Sequence, residues 1–286
     1  MALLPDTPPS NGTDEPRLKI YFLPNLLTAG NLFCGFVALT KIVEADYDQA
    51  NFSQQITLAL GFILLACIFD LFDGRVARMG GVESPFGREF DSLADLISFG
   101  AAPAFLVHRV VLRNVFEGQP EAGWFVASIY LICGAFRLAR FNCLAAMPGG
   151  AGGKEFLGFP IPSAAALVSS LTLLIIRLNE NDRKLPQWCN YLLVIVLLFL
   201  SAMMVSTVKY PSFKSLGLRS RSTFAKAIIT ALVLGFILVS WKIIVFYALP
   251  AFFTLYLVYG FIRPRISRQM RRDIEEEDEE EAADNA

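Results

Sequence analysis

Apolar residues in this chain come in runs of about twenty, separated by short polar stretches, and a run of that length crosses the roughly 30 Å hydrocarbon core of a bilayer as a helix. The runs predict eight helices, at 22–43, 54–78, 92–114, 122–146, 160–178, 187–207, 224–241 and 243–262. Ahead of them, residues 1–16 are polar and Pro-rich, without a basic start followed by an apolar stretch. That reads as a disordered lead rather than a targeting signal. Behind them, Arg263 to Arg272 forms a basic membrane edge, suited to anionic headgroups or to plain anchoring, and Glu275–Ala286 an acidic, solvated tail. The expected fold class is all-α, a polytopic integral membrane helical bundle of about eight spans.

Composition agrees: 55% of the residues are hydrophobic, 25 of them Phe, and the mean hydropathy is +0.50. The net charge of −1 gives no reason to expect a nucleic-acid partner, so what matters is where the 25 basic residues sit. With eight spans, Lys41, Arg109, Arg113, Arg177, Arg183, Lys184 and Lys242 fall at one set of helix ends and all the others at the opposite set. The positive-inside rule therefore places both termini in the cytoplasm. Cys34, Cys67, Cys133, Cys143 and Cys189 lack paired-ligand spacing and are expected to be reduced packing residues. His108 is the only histidine, which disfavours zinc and Ser-His-Asp chemistry. There is no Walker loop, dinucleotide fingerprint or internal repeat.

Against this apolar background, the stretch DLFDGRVARMGGVESPFGREFDSLAD, beginning at Asp70, places Asp70, Asp73, Asp91 and Asp95 at membrane depth. Each acid there costs at least about 2.5 kcal/mol, so four argue for a site that collects cations. At about 100° per residue, Asp70 and Asp73 lie roughly 60° apart and Asp91 and Asp95 roughly 40° apart, one helix face for each pair. Gly80, Gly81, Pro85 and Gly87 between them are expected to turn the chain so that the pairs meet. Carboxylates alone suit Mg²⁺ or Mn²⁺, and four can hold two ions, the usual device for displacement at phosphorus. The active site then lies on the cytoplasmic side.

The full spacing, Asp70-x2-Asp73-Gly74-x2-Ala77-Arg78-x8-Gly87-x3-Asp91-x3-Asp95, resembles the signature of the CDP-alcohol phosphotransferases, membrane enzymes of phospholipid synthesis, at every fixed position. The resemblance implies a six-helix catalytic core, two divalent ions and a homodimer. It implies that Asp70, Asp73 and Asp91 are the main metal ligands, and that Asp95 completes the site and acts as general base on the acceptor hydroxyl. Gly74, Ala77, Arg78 and Gly87 are implied to receive the CMP part of the donor, although small residues such as Gly74 and Ala77 equally serve helix packing. Asn25, Thr28 and Asn31 recur every three residues, a polar stripe at the start of the first helix. By similarity to the leading helix of the family's serine-using branch, Thr28 and Asn31 are placed near the donor nucleotide.

The signature is shared by enzymes for several alcohols, so other segments must indicate the acceptor. Cys133–Asn142, Phe156–Ser163 and Met204–Lys214 are similar to the serine-using branch. In them, Arg137, Arg140 and Lys209 are candidates for binding the acceptor, with snorkelling to the interface as the alternative. The chain thus divides into the lead 1–16, a catalytic membrane domain 17–215, two further helices within 216–265 and the charged tail 266–286. The activity implied is transfer of the phosphatidyl group from CDP-diacylglycerol to L-serine, giving phosphatidylserine and CMP. The setting implied is a bacterial cytoplasmic membrane, among membrane lipids. The same fold acting on glycerol 3-phosphate is one alternative and a divalent-cation transporter another, although a transport path should carry its acids on to the far side.

Overall fold

Six helices long and apolar enough to cross a membrane make up most of the computed structural model: α1 (Phe22–Glu44), α2 (Phe52–Gly80), α3 (Pro85–Val115), α4 (Pro120–Ala146), α5 (Ile161–Glu180) and α6 (Trp188–Val205). The structure describes residues 22–46, 51–80, 84–147, 155–180, 186–211, 247–260 and 262. Within it the first six predicted spans are all present, most within two residues of the expected ends. The predicted span 224–241, the lead and the charged tail lie outside the described residues. Of the predicted span 243–262, the described residues include a helix α7 (Leu249–Gly260), and residues 243–246 lie outside them. Phe33 and Phe36 on α1, Phe136 on α4 and Ile195 on α6 are each more than 60% exposed, a surface suited to lipid rather than water.

α3 departs most from expectation. It begins at Pro85, not residue 92, because Ser84 caps it: the Gly87 N–H donates to Ser84 Oγ (3.0 Å) and Pro85 takes the first helical position, where its missing N–H costs nothing. Pro85 and Gly87 are therefore not part of the turn between the acid pairs, as the sequence reading had them. They open the second acid-bearing helix. Further along, α3 widens to π-helix at Leu96–Ala101 and again at His108–Leu112. Pro103 accounts for part of this. It has no N–H to give to the carbonyl of Phe99, four residues back, and the fully buried Tyr130 of α4 supplies the missing donor, Oη to Phe99 O at 3.1 Å.

α1 is the hub, packed along α2 and against the first half of α3. It comes close through glycine. A Cβ on Gly35 would run into the Ser98 hydroxyl and lie 2.8 Å from Ser98 Cα, and one on Gly30 would lie 3.1 Å from the Phe69 ring. Two short strands, β1 (Glu155–Leu157) and β2 (Lys209–Pro211), pair antiparallel beyond the ends of α4 and α6, with Leu157 opposite Lys209. Tyr256 and Leu257 bring α7 into the same apolar core.

Candidate active site

The end of α2 and the start of α3 bring three carboxylates together. One oxygen each from Asp70, Asp91 and Asp95 lies within 4.8 Å of the others. Asp73, 4% exposed, lies within electrostatic reach of Asp91 and Asp95. All four signature acids thus share one site, as their spacing predicted.

What holds them there is the stripe on α1. Thr28 Oγ1 donates to Asp73 Oδ2 and Asn31 Nδ2 to Asp95 Oδ1, both at 2.9 Å and both buried. Asn25, the first of the stripe, lies beside Gly87, where a Cβ would meet Asn25 Oδ1 at 3.4 Å and Ser84 Oγ at 3.2 Å. Gly87 therefore lets the α3 cap close on α1. Next in line, Ser98 Oγ, one turn beyond Asp95, donates to the backbone carbonyl of Asn31 at 2.9 Å. α1 and α3 are therefore cross-linked both ways at the level of Asp95. The sequence showed the polar stripe but not its targets, and Ser98 gave no signal beyond its place near Asp95.

The cluster fits a hard cation. Three carboxylates so close repel one another with nothing positive between them. Moreover, Asp91 Oδ1 and Asn31 Oδ1 are buried acceptors with no hydrogen-bond partner among the described residues. Oxygen acceptors without donors, in an all-oxygen set, are what Mg²⁺ or Mn²⁺ satisfies.

Gly74 follows directly on Asp73, and Ala77 and Arg78 lie on the last turns of α2. The side chains of Ala77 and Arg78, and that of Lys209 on β2, are outside the described part of the structure. Arg137 on α4 is 8% exposed, stands within electrostatic reach of Asp95 and, less strongly, Asp70, and its Nε has no hydrogen-bond partner among the described residues. Arg140 is placed differently. Its guanidinium donates to the carbonyls of Val205 (2.6 Å), Ser206 (3.0 Å) and Met204 (3.3 Å), closing the C-terminus of α6. Gly158 sits in the same knot at φ +78°, where a Cβ would strike the Met204 carbonyl and lie 2.9 Å from Arg140 Nη2. The three segments outside the signature that indicated an acceptor, far apart in the chain, therefore meet around Arg140 and Gly158.

Residues 21–208 match the CDP-alcohol phosphatidyltransferase family, a stretch that contains every element of this site. The chain belongs to that family. Among its relatives, the CDP-diacylglycerol–serine O-phosphatidyltransferase of Helicobacter pylori (strain ATCC 700392 / 26695) is 35% identical over 248 residues, 87% of this chain and 93% of its own length. The protein of that name from Bacillus subtilis (strain 168) is 34% identical over 194 residues, 68% of this chain and 92% of its own. An archaetidylserine synthase from Methanothermobacter thermautotrophicus is 30% identical over 210 residues, 71% of this chain and 76% of its own. In this family member the acids are therefore part of an integral membrane phosphatidyltransferase. The apolar character of the core on the far side of the acids, Ala38, Ile42, Ile56, Ala59 and Ile63 among the described residues, gives no support to a transport path.

Proposed function

We propose that the protein transfers the phosphatidyl group of CDP-diacylglycerol to L-serine, yielding phosphatidylserine and CMP. The observation that carries this reading is Arg137, a buried guanidinium whose Nε has no hydrogen-bond partner among the described residues and which lies within electrostatic reach of Asp95, where the acceptor hydroxyl must arrive. A guanidinium binds a carboxylate through paired hydrogen bonds, and L-serine offers both that carboxylate and the hydroxyl to be phosphorylated. The names of the bacterial and archaeal relatives point to the same acceptor.

Two divalent cations, Mg²⁺ or Mn²⁺, held by Asp70, Asp73, Asp91 and Asp95 would supply Lewis acidity at the diphosphate and offset the charge developing on CMP. The protein does the rest. Asn31 occupies Asp95 Oδ1 and keeps the carboxylate in one orientation, leaving Oδ2 to take the proton from the serine hydroxyl as its oxygen attacks the lipid-bearing phosphorus. The bond from that phosphorus to the CMP oxygen breaks, and CMP leaves with the electron pair. Thr28 holds Asp73 in the same way. Gly74, Ala77, Arg78 and Gly87 receive the nucleotide between the end of α2 and the start of α3. Arg137 holds the acceptor, with Lys209 as a further candidate, while Arg140 fixes the frame on which Arg137 stands. The excess of basic residues at the ends that carry the acids supports a site and termini that face the cytoplasm.

Purified protein with CDP-diacylglycerol and Mg²⁺ or Mn²⁺, given L-serine, glycerol 3-phosphate, inositol or choline separately, tests the reading. CMP release with L-serine alone is the expected result. Release only with another alcohol would move the acceptor assignment and keep the chemistry. Release with none of them would refute the proposal.

A further inference from the structure

Asp73 and Asp95 accept hydrogen bonds from Thr28 and Asn31 of α1, whereas Asp91 Oδ1 has no hydrogen-bond partner among the described residues. The position of Asp91 is then set by the backbone that carries it, on the first turns of α3. There a contact comes from the other side, from Asn142 near the end of α4. Its Nδ2 donates to Ser92 Oγ at 2.9 Å and to Glu89 Oε2 at 3.3 Å. Ser92 follows directly on Asp91, and its hydroxyl donates to the Arg88 carbonyl at 3.1 Å, so its lone pairs are left to accept. The Glu89 carboxylate can only accept, which turns the nitrogen of the amide toward α3. Asn142 Oδ1, by contrast, is buried with no partner among the described residues. That dry, unpaired carbonyl offsets what the nitrogen contributes to stability, so Asn142 acts on geometry more than on the strength of the fold.

We propose that Asn142 is a positioning residue for the metal centre: by clamping Ser92 and Glu89 to α4 it holds Asp91 where its carboxylate can share a divalent cation with Asp70 and Asp95, the three oxygens lying within 4.8 Å of one another. The inference rests on the metal-binding role given to these acids above. Mg²⁺ and ions of its size bind in near-ideal octahedral geometry, which leaves little room for a misplaced oxygen. The carboxylates also repel one another until the cation arrives, so α3 needs a hold from outside the cluster. α1 supplies that hold at Asp95, and Asn142 supplies it one turn earlier, at Asp91. Two residues before Asn142, Arg140 ties the same end of α4 to the C-terminus of α6. The end of α4 therefore joins the metal cluster to the knot at Gly158.

The test is titration of the purified full-length protein in detergent with Mn²⁺, the free ion being read by electron paramagnetic resonance, so that affinity is measured without turnover. Asn142→Ala and Ser92→Ala are each expected to raise the Mn²⁺ dissociation constant about tenfold, as loss of a group that orients metal ligands does. The double variant should be no weaker than the weaker single one, because both changes remove the same contact. Tyr130→Phe, which deletes a hydrogen bond between the same two helices at Phe99, is the control and should leave the constant within about twofold. An unchanged constant in Asn142→Ala would overturn the proposal, as would additive effects of Asn142→Ala and Ser92→Ala or an equal effect of Tyr130→Phe. Should Asn142→Ala not fold, Ser92→Ala decides in its place. A wild type that binds no Mn²⁺ defeats the metal reading and this inference with it. A wild type that binds Mn²⁺ no more tightly than the variants defeats the role of Asn142 alone.

Discussion

Asp95 is proposed for the most demanding role in the site, and its surroundings define how it should fail. Asp95→Asn keeps the shape and the contact to α1 but removes the proton acceptor. It should retain CDP-diacylglycerol binding while CMP release falls by a factor of about 10² to 10⁴. Turnover near the wild-type rate would remove the general-base role. Asn31 can be tested separately. A hydrogen bond to a charged group contributes about 1.5–3 kcal/mol, so Asn31→Ala should lower kcat roughly tenfold to a hundredfold with the fold intact. An unchanged kcat would reduce Asn31 to a packing residue. The four acids were legible in the sequence because their spacing follows the helical period, a property of each helix alone. The partner of Asn31 was not, since the contact to Asp95 joins residues 64 apart in the chain and depends on how two helices dock.

At the scale of the element, six helices could be read from apolar run length because a bilayer demands that every span satisfy its own backbone. What run length does not register is an irregularity within a span or a turn of helix added at its start. α3 gains its first two turns from the Ser84 cap, and with them Asp91. Its first π-helical stretch involves Pro103 and a hydroxyl from α4. The pairing of β1 with β2 was likewise invisible, being only three residues on each side and set by the ends of α4 and α6. The knot beside that ladder is testable. Gly158 needs a left-handed backbone and has no room for a Cβ, so Gly158→Ala should cost about 1–3 kcal/mol in strain and lower the thermal midpoint in detergent. Arg140→Ala should raise the acceptor KM more than the donor KM, because the segments it ties together surround Arg137. Equal effects on both substrates would mean that the knot serves the fold alone.

For the whole molecule, the acid cluster sets function against stability. Asp70, Asp91 and Asp95 lie close enough that each pair of charges repels by about 3 kcal/mol at an effective dielectric of about 20, before solvent screening. Folding brings these charges together, so without a cation the folded state bears a strain that the unfolded chain escapes. Two consequences of opposite sign follow. With chelator present, Asp91→Asn should melt at a higher temperature than the wild type, because one repelling charge has gone and the amide keeps nearly the same volume. With Mn²⁺ at a hundred times its dissociation constant, the wild type should gain about 2.7 kcal/mol and the variant much less, since binding to the folded state alone stabilises it by mass action. The gap between the two melting temperatures should therefore narrow from chelator to metal, and thermal unfolding in detergent under both conditions reads it directly. If the wild type melts higher in both, the carboxylates are held by contacts other than a cation and the metal site loses its physical basis. A narrowing would mean that the bundle is built to be less stable empty than its core allows, and that the bound cation offsets part of the difference.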